Sequence, residues 1–252
     1  MTFLEWLLSS YPNPSIEGQY GLPHILTLLF IALFVVFSSL ILKNKSHKTK
    51  RIVLLVIASI ILTFEITRRI INLIRMPDRT LLLYLKTILP RPGCAISCWL
   101  VIIAVYFNKG FLYNIASIIG ILCGVIFFAY PGAGFNNQYM LFENVYSIVT
   151  HTLFTSACFC FITYKFTDFD YKNIKKELIC LLIIAVYVVI EILFKIEPDP
   201  FYFMPNNEVQ EIIGLNYPAF IVLYAIFVVV YFNAYYLITK HKNLFTKKVK
   251  SN

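Results

Sequence analysis

Long apolar runs separated by short polar stretches occupy almost the whole chain: Leu22–Leu42, Ile52–Ile74, Cys94–Phe107, Phe111–Tyr130, Phe142–Phe166, Leu178–Phe194 and Tyr217–Ile238. A helix needs about 20 apolar residues to cross ~30 Å of hydrocarbon. The pattern therefore predicts an all-α membrane protein with seven transmembrane helices. The third run is short. The break Pro90-Arg91-Pro92-Gly93 would let the preceding Leu81–Leu89 segment bend into the membrane to complete it. Composition agrees, because 59% hydrophobic and 14% charged residues lie outside the range of soluble domains.

Positive charge orients the predicted spans, since cytoplasmic loops retain Lys and Arg during insertion. With the N-terminus outside, fifteen of the 22 Lys and Arg fall on cytoplasmic loops and the tail from Lys240 to Asn252. Five fall outside, and Arg68 and Arg69 lie within the second span. The C-terminus is then cytoplasmic, and the net charge of +9 reads as a topology signal, with no nucleic-acid partner implied. No cleavable signal peptide precedes the first run, which follows Glu5 and Glu17 where a basic region would be expected. The six cysteines sit in or beside apolar segments without paired metal-ligand spacing. No metal or cofactor is expected, and Cys158 and Cys160 read as packing residues on different helix faces.

A self-similarity appears at an offset of 125 to 127 residues. His24 matches His151, Glu65 matches Glu191, and Val105-Tyr106-Phe107-Asn108 returns as Val230-Tyr231-Phe232-Asn233. Three ordered matches at nearly one offset predict two parallel repeats joined by a linker helix, a 3+1+3 plan. Residues 1–252 would form one polytopic domain: repeat 1 at about 22–107, linker helix 111–130, repeat 2 at about 142–238, and a basic cytoplasmic tail at 240–252.

The candidate chemistry lies where polar groups interrupt the apolar runs. Glu65, Arg68 and Arg69 share the second span, with both arginines in reach of the carboxylate at i+3 and i+4. A charge at that depth costs at least ~2.5 to 3.5 kcal/mol, so such groups pair and face the interior. Asn144, Ser147, His151, Thr155 and Cys158 form a polar stripe at helical spacing. Cys94 starts the third span, where a helix N-terminus and nearby Arg91 favour a thiolate.

The Leu89-Pro90-x-x-x-Cys94 opening of the third span, together with the His24, Glu65 and His151 helices, resembles the YwaF-like bacterial integral membrane proteins. Those look distantly akin to eukaryotic multi-pass acyltransferases that move fatty acyl chains between phospholipids. The resemblance implies Cys94 as nucleophile and His151 as its base, acting on acyl esters at the outer leaflet of the cell membrane. Membrane lipids would then be the partners. Arg68, Arg69 and Arg91 would hold the lipid phosphate, with His24, Glu65 and Glu191 completing the substrate site. Two other classes stay open: a small-solute transporter built on the same 3+1+3 plan, and a non-enzymatic ligand-binding membrane subunit.

Overall fold

A computed structural model of the chain describes residues 3–8, 20–75, 80–90, 93–129, 134–135, 140–194 and 208–249. The described residues contain helices and no strand: α1 (Phe3–Leu8), α2 (Leu22–Leu42), α3 (His47–Arg75), α4 (Leu81–Ile88), α5 (Cys94–Phe107), α6 (Gly110–Ala129), α7 (Phe142–Thr163), α8 (Ile174–Leu193), α9 (Glu208–Ile213) and α10 (Tyr217–Val249). A 3-10 turn, Tyr171–Asn173, leads into α8.

Among the described residues, four stretches are long and apolar enough to cross a membrane: α2, α6, α7, and α10 as far as Leu237. This is an integral membrane protein with several spans. The other predicted spans are helical as well, but each departs from a plain apolar rod. The 29-residue α3 carries the Glu65 trio inside its apolar stretch and a basic first turn, and α8 carries Glu177 and Glu191. The 14-residue α5 is about 21 Å long, short of a full crossing.

Local sequence explains most of the helix ends. Gly93 precedes α5 at φ +73, a left-handed conformation that a side chain would strain, and Thr80 caps α4 by accepting the Leu83 N–H at 3.4 Å. Helix α7 stops at Thr163, three residues short of the predicted run, where Lys165 turns at φ +64. In contrast, α10 runs past Ile238 to Val249, because the basic tail up to that point holds no glycine or proline to stop it.

The chain divides into two compact units, Met1–Thr167 and Asp168–Asn252. The boundary leaves α7 in the first unit and α8 and α10 in the second, whereas the predicted repeat would group these three together. In the first unit α7 is the hub, in contact with α1, α2, α3, α5 and α6. Its core is built from period-matched stripes such as Leu54, Ala58 and Ile61 on α3, all with no exposed surface. In the second unit Phe169 and Tyr171 pack on Tyr235 and Tyr236 of α10, and the 3-10 turn lies on α8.

The apolar faces left uncovered fit a lipid solvent. On α2 alone Ile25, Leu29, Phe30, Phe37 and Leu40 are all more than half exposed, or nearly so. In water that surface would be a large liability, whereas hydrocarbon solvates it without cost.

Candidate functional site

Glu65 is the next position along the Leu54–Ala58–Ile61 stripe, so its carboxylate points into the core of the first unit with 0% exposure. It is fully engaged. Arg69 one turn later forms an ion pair with it, and the Tyr146 hydroxyl on α7 donates to its other oxygen. The Cys98 thiol on α5 also lies against this carboxylate. Arg69 spends its Nε–H on the Ile88 carbonyl at the end of α4 at 2.8 Å, and its guanidinium lies 5.3 Å from the Trp99 ring centroid. Arg68 sits 4.8 Å over the Tyr146 ring and donates to its hydroxyl at 3.4 Å. Beyond it, Arg75 pairs with Glu143 and donates to the Leu7 carbonyl, tying α3, α7 and α1 together.

Three cysteines border this network. Cys94 at the start of α5 lies against Cys123 of α6, and Ser97 is close to Cys123 as well. Arg68 is close enough to act electrostatically on Cys94, Cys98, Glu65, Glu143, Tyr146 and His151.

His151 is buried, and its Nδ1 lies 2.6 Å from the Ser147 carbonyl one turn earlier. A carbonyl can only accept, so that contact assigns the proton to Nδ1 and leaves Nε2 with a lone pair. Nε2 is buried with no hydrogen-bond partner, and the ring stacks on Phe127 at 3.6 Å between centroids. His24 from α2 joins the same aromatic cluster, 5.0 Å from Phe135 and 6.3 Å from Phe128. Neither of its ring nitrogens has a hydrogen-bond partner. The two histidines matched by the repeat therefore flank one group of phenylalanines, Phe127, Phe128 and Phe135.

Small residues allow α6 to approach α7 closely enough to form this site. Gly120 and Gly124 make a small-xxx-small step on α6. A Cβ on Gly120 would lie 2.4 Å from the Cys158 Sγ, and one on Gly124 would lie 2.1 Å from the Thr155 Oγ1. Cys158 donates to the Ala116 carbonyl at 3.1 Å and is fully buried, and Cys160 is buried beside Ser38, so both serve packing. The lower part of the polar stripe on α7 thus forms a tight helix interface. Gly120→Ala is expected to cost about 1–3 kcal/mol through overpacking. Cys158→Ala should restore most of that loss, because the sulfur supplies the only atom closer than 3.7 Å. Thermal unfolding of the two single variants and the double variant measures the coupling, and additive losses would refute the contact.

The structure brings Glu65, Arg68 and Arg69 together around Tyr146, and places Cys94 and His151 in the same unit. It does not join the Cys94 thiol to His151, because Cys94 is engaged with Cys123 and Nε2 has no partner. Glu191 lies in the second unit, buried, and accepts from the Tyr187 hydroxyl at 2.7 Å. Arg91 falls outside the described residues. Sequence reasoning missed Tyr146, Trp99, Glu143 and Cys123. Glu143, Tyr146 and Thr150 are spaced three and four apart, a second stripe on α7 that could have revealed the Glu65 partner.

No metal-ligating group of three or more His, Cys, Asp or Glu converges among the described residues. The cleft between α3 and α4, lined by Arg68, Arg69, Asn72, Lys86, Thr87 and Leu89, encloses about 10 Å³. That is room for about one water molecule, so the cluster is closed in this state.

No curated protein and no solved structure matches the chain. The family model that does match is not that of the YwaF-like proteins expected from the motifs, and nothing in these comparisons supports that likeness. The matching model spans residues 19–246, covering every helix described above except α1 and the last turn of α10. The chain belongs to the TMEM164 family of membrane proteins.

Proposed function

We propose that the protein is an acyltransferase that moves fatty acyl chains between lipid esters and lipid hydroxyls through a Cys94 thioester. The observation that carries this reading is the buried His151 ring, whose Nδ1 lies 2.6 Å from the Ser147 carbonyl while Nε2 has no hydrogen-bond partner. The ring geometry supplies the base, since Nδ1 is held by Ser147 and the Nε2 lone pair has no partner.

The steps balance as follows. Nε2 takes the Cys94 proton, and the thiolate adds to the acyl ester carbonyl. The tetrahedral adduct expels the lysolipid alkoxide, which recovers the proton from His151. A second lipid hydroxyl then gives its proton to Nε2, attacks the thioester and returns the thiol. Burial keeps water away and so favours transfer over hydrolysis. Arg68, with Arg69 and Arg91, would hold the lipid phosphate, because guanidinium groups bind phosphate oxygens in pairs. For the thiol to reach Nε2, Cys94 must leave Cys123 as the lipid enters. Catalytic hydrogen bonds commonly tighten only in the bound complex.

The proposal carries a topology: seven spans made by α2, α3, α5, α6, α7, α8 and α10, with the N-terminus outside and the C-terminus cytoplasmic. At 29 residues α3 is about 43 Å long, enough to cross with its charged ends at the interfaces. The 3+1+3 plan, with Glu191 and His24 as repeat partners of Glu65 and His151, belongs to the same reading. The outer leaflet of the cell membrane is the expected site of action.

The test is transfer of a labelled acyl chain from one phospholipid to a lysolipid by the purified protein in vesicles. Cys94→Ala is expected to abolish transfer and the hydroxylamine-sensitive label on the protein. Full transfer by Cys94→Ala refutes the thioester.

A further inference from the structure

At the other end of α3, about 25 Å from Arg68 along the helix, the first unit contains a hollow of about 320 Å³. It is lined by His47, Lys48 and Arg51 of α3, by Asn108 and Tyr113 at the α5–α6 turn, and by Lys165 and Phe166 after α7. Three permanent cations, Lys48, Arg51 and Lys165, line the hollow, and no carboxylate is among its lining residues. Its volume is at the low end for small-molecule sites, about 300–1,000 Å³.

The surroundings hold this charge in place. Arg51 donates through Nη2 to the Val105 and Tyr106 carbonyls at 3.4 and 3.2 Å, which fixes its guanidinium at the end of α5. Tyr113 donates to the Asn108 Oδ1 at 3.0 Å, and Asn108 itself sits at φ +53 to turn the chain into α6. His47 stacks edge-on to Phe166 at 4.9 Å, and Tyr113 lies 5.0 Å from the same ring, so aromatic rings shape the wall.

The start of α3 is also unusual electrostatically. Its first turn has no acidic residue and reads His47-Lys48-Thr49-Lys50, with Arg51 next. A helix N-terminus carries partial positive charge and disfavours cations by about 0.3–1 kcal/mol each. Membrane orientation explains why basic residues belong in this loop. It does not require three of them on the wall of an aromatic-sided hollow beside a helix N-terminus. A bound anion would offset both the dipole and the mutual repulsion of the cations.

We infer that this hollow binds a phosphate group, carried either by a lipid headgroup or by a soluble phosphate. Arg51 offers a fixed planar fork, while Lys48 and Lys165 are exposed cations free to close on the oxygens. The site is separate from the acyl-transfer centre and does not depend on it.

The experiment uses the full chain in phosphatidylcholine nanodiscs, comparing the parent with Lys48→Gln/Lys165→Asn. Both lysines are exposed, so the melting temperature without ligand should be unchanged and serves as the fold check. Inorganic phosphate is titrated in one arm, and in the other phosphatidic acid replaces part of the phosphatidylcholine. Because Arg68 and Arg69 are intact in both proteins, only the difference between parent and variant reports on the hollow. Binding in either arm, weakened at least about tenfold in the variant, supports the site and identifies its source as soluble phosphate or lipid. No binding in either arm, or equal binding by the two proteins, overturns it.

Discussion

Glu65→Ala is expected to destabilise the protein by about 3–5 kcal/mol, because it leaves buried guanidinium charge without its counter-ion. The loss exceeds that of a single ion pair. Glu65 has no exposed surface and receives Arg69, the Tyr146 hydroxyl and the Cys98 thiol at once, so its removal unmakes contacts to two neighbouring helices. Arg69 retains the Ile88 carbonyl and the Trp99 face, neither of which neutralises it. At about 2–4 °C per kcal/mol for a chain of this length, the melting temperature in detergent should fall by roughly 6–20 °C. Glu65→Gln keeps an acceptor for Tyr146 and should fall between the parent and the alanine variant. Unchanged melting of Glu65→Ala would show that the arginines escape to a polar surface when the carboxylate is absent.

His151→Ala is expected to reduce acyl transfer by about 10²–10⁴-fold, the usual contribution of a positioned general base. The loss should appear in kcat more than in KM, since the imidazole acts on the proton and does not hold the lipid. His151→Asn separates chemistry from architecture. Its amide N–H can still donate to the Ser147 carbonyl, but it places no basic lone pair where Nε2 now lies. A basic role predicts that both variants are inactive. If Asn restores transfer, the ring serves packing against Phe127 and a different group moves the proton.

The helices could be read from the sequence because lipid imposes a simple requirement: long apolar runs become helices, and nearly every predicted run is one. The depth of Glu65 was also legible, since it continues the same helical stripe as Leu54, Ala58 and Ile61. Its partners were not. Tyr146 lies 81 residues away on another helix, and nothing local to Glu65 distinguishes one tyrosine of a tyrosine-rich chain from another. The polar stripe of α7 was located correctly, yet its lower half proved to be helix packing, because Gly120 and Gly124 on α6 admit Thr155 and Cys158 into close contact. Spacing on α7 alone cannot reveal that, since the glycines facing it are what remove the space. Pairing of Cys94 with Cys123 was hidden for a similar reason: its geometry depends on how α5 and α6 cross.

Two arginines on α3 hold carbonyls at the C-terminal ends of neighbouring helices, Arg51 at the end of α5 and Arg69 at the end of α4. Helix ends offer carbonyls without intrahelical donors, so these contacts act as bolts at both ends of a strut. Sliding α3 along its axis by even one turn, about 5.4 Å, would break both bolts together. If lipid reaches Arg68 as proposed, a sideways swing of α4 away from α3 would release only the Arg69 bolt. The strut would then hold the depth of the buried carboxylate fixed while α4 moved beside it.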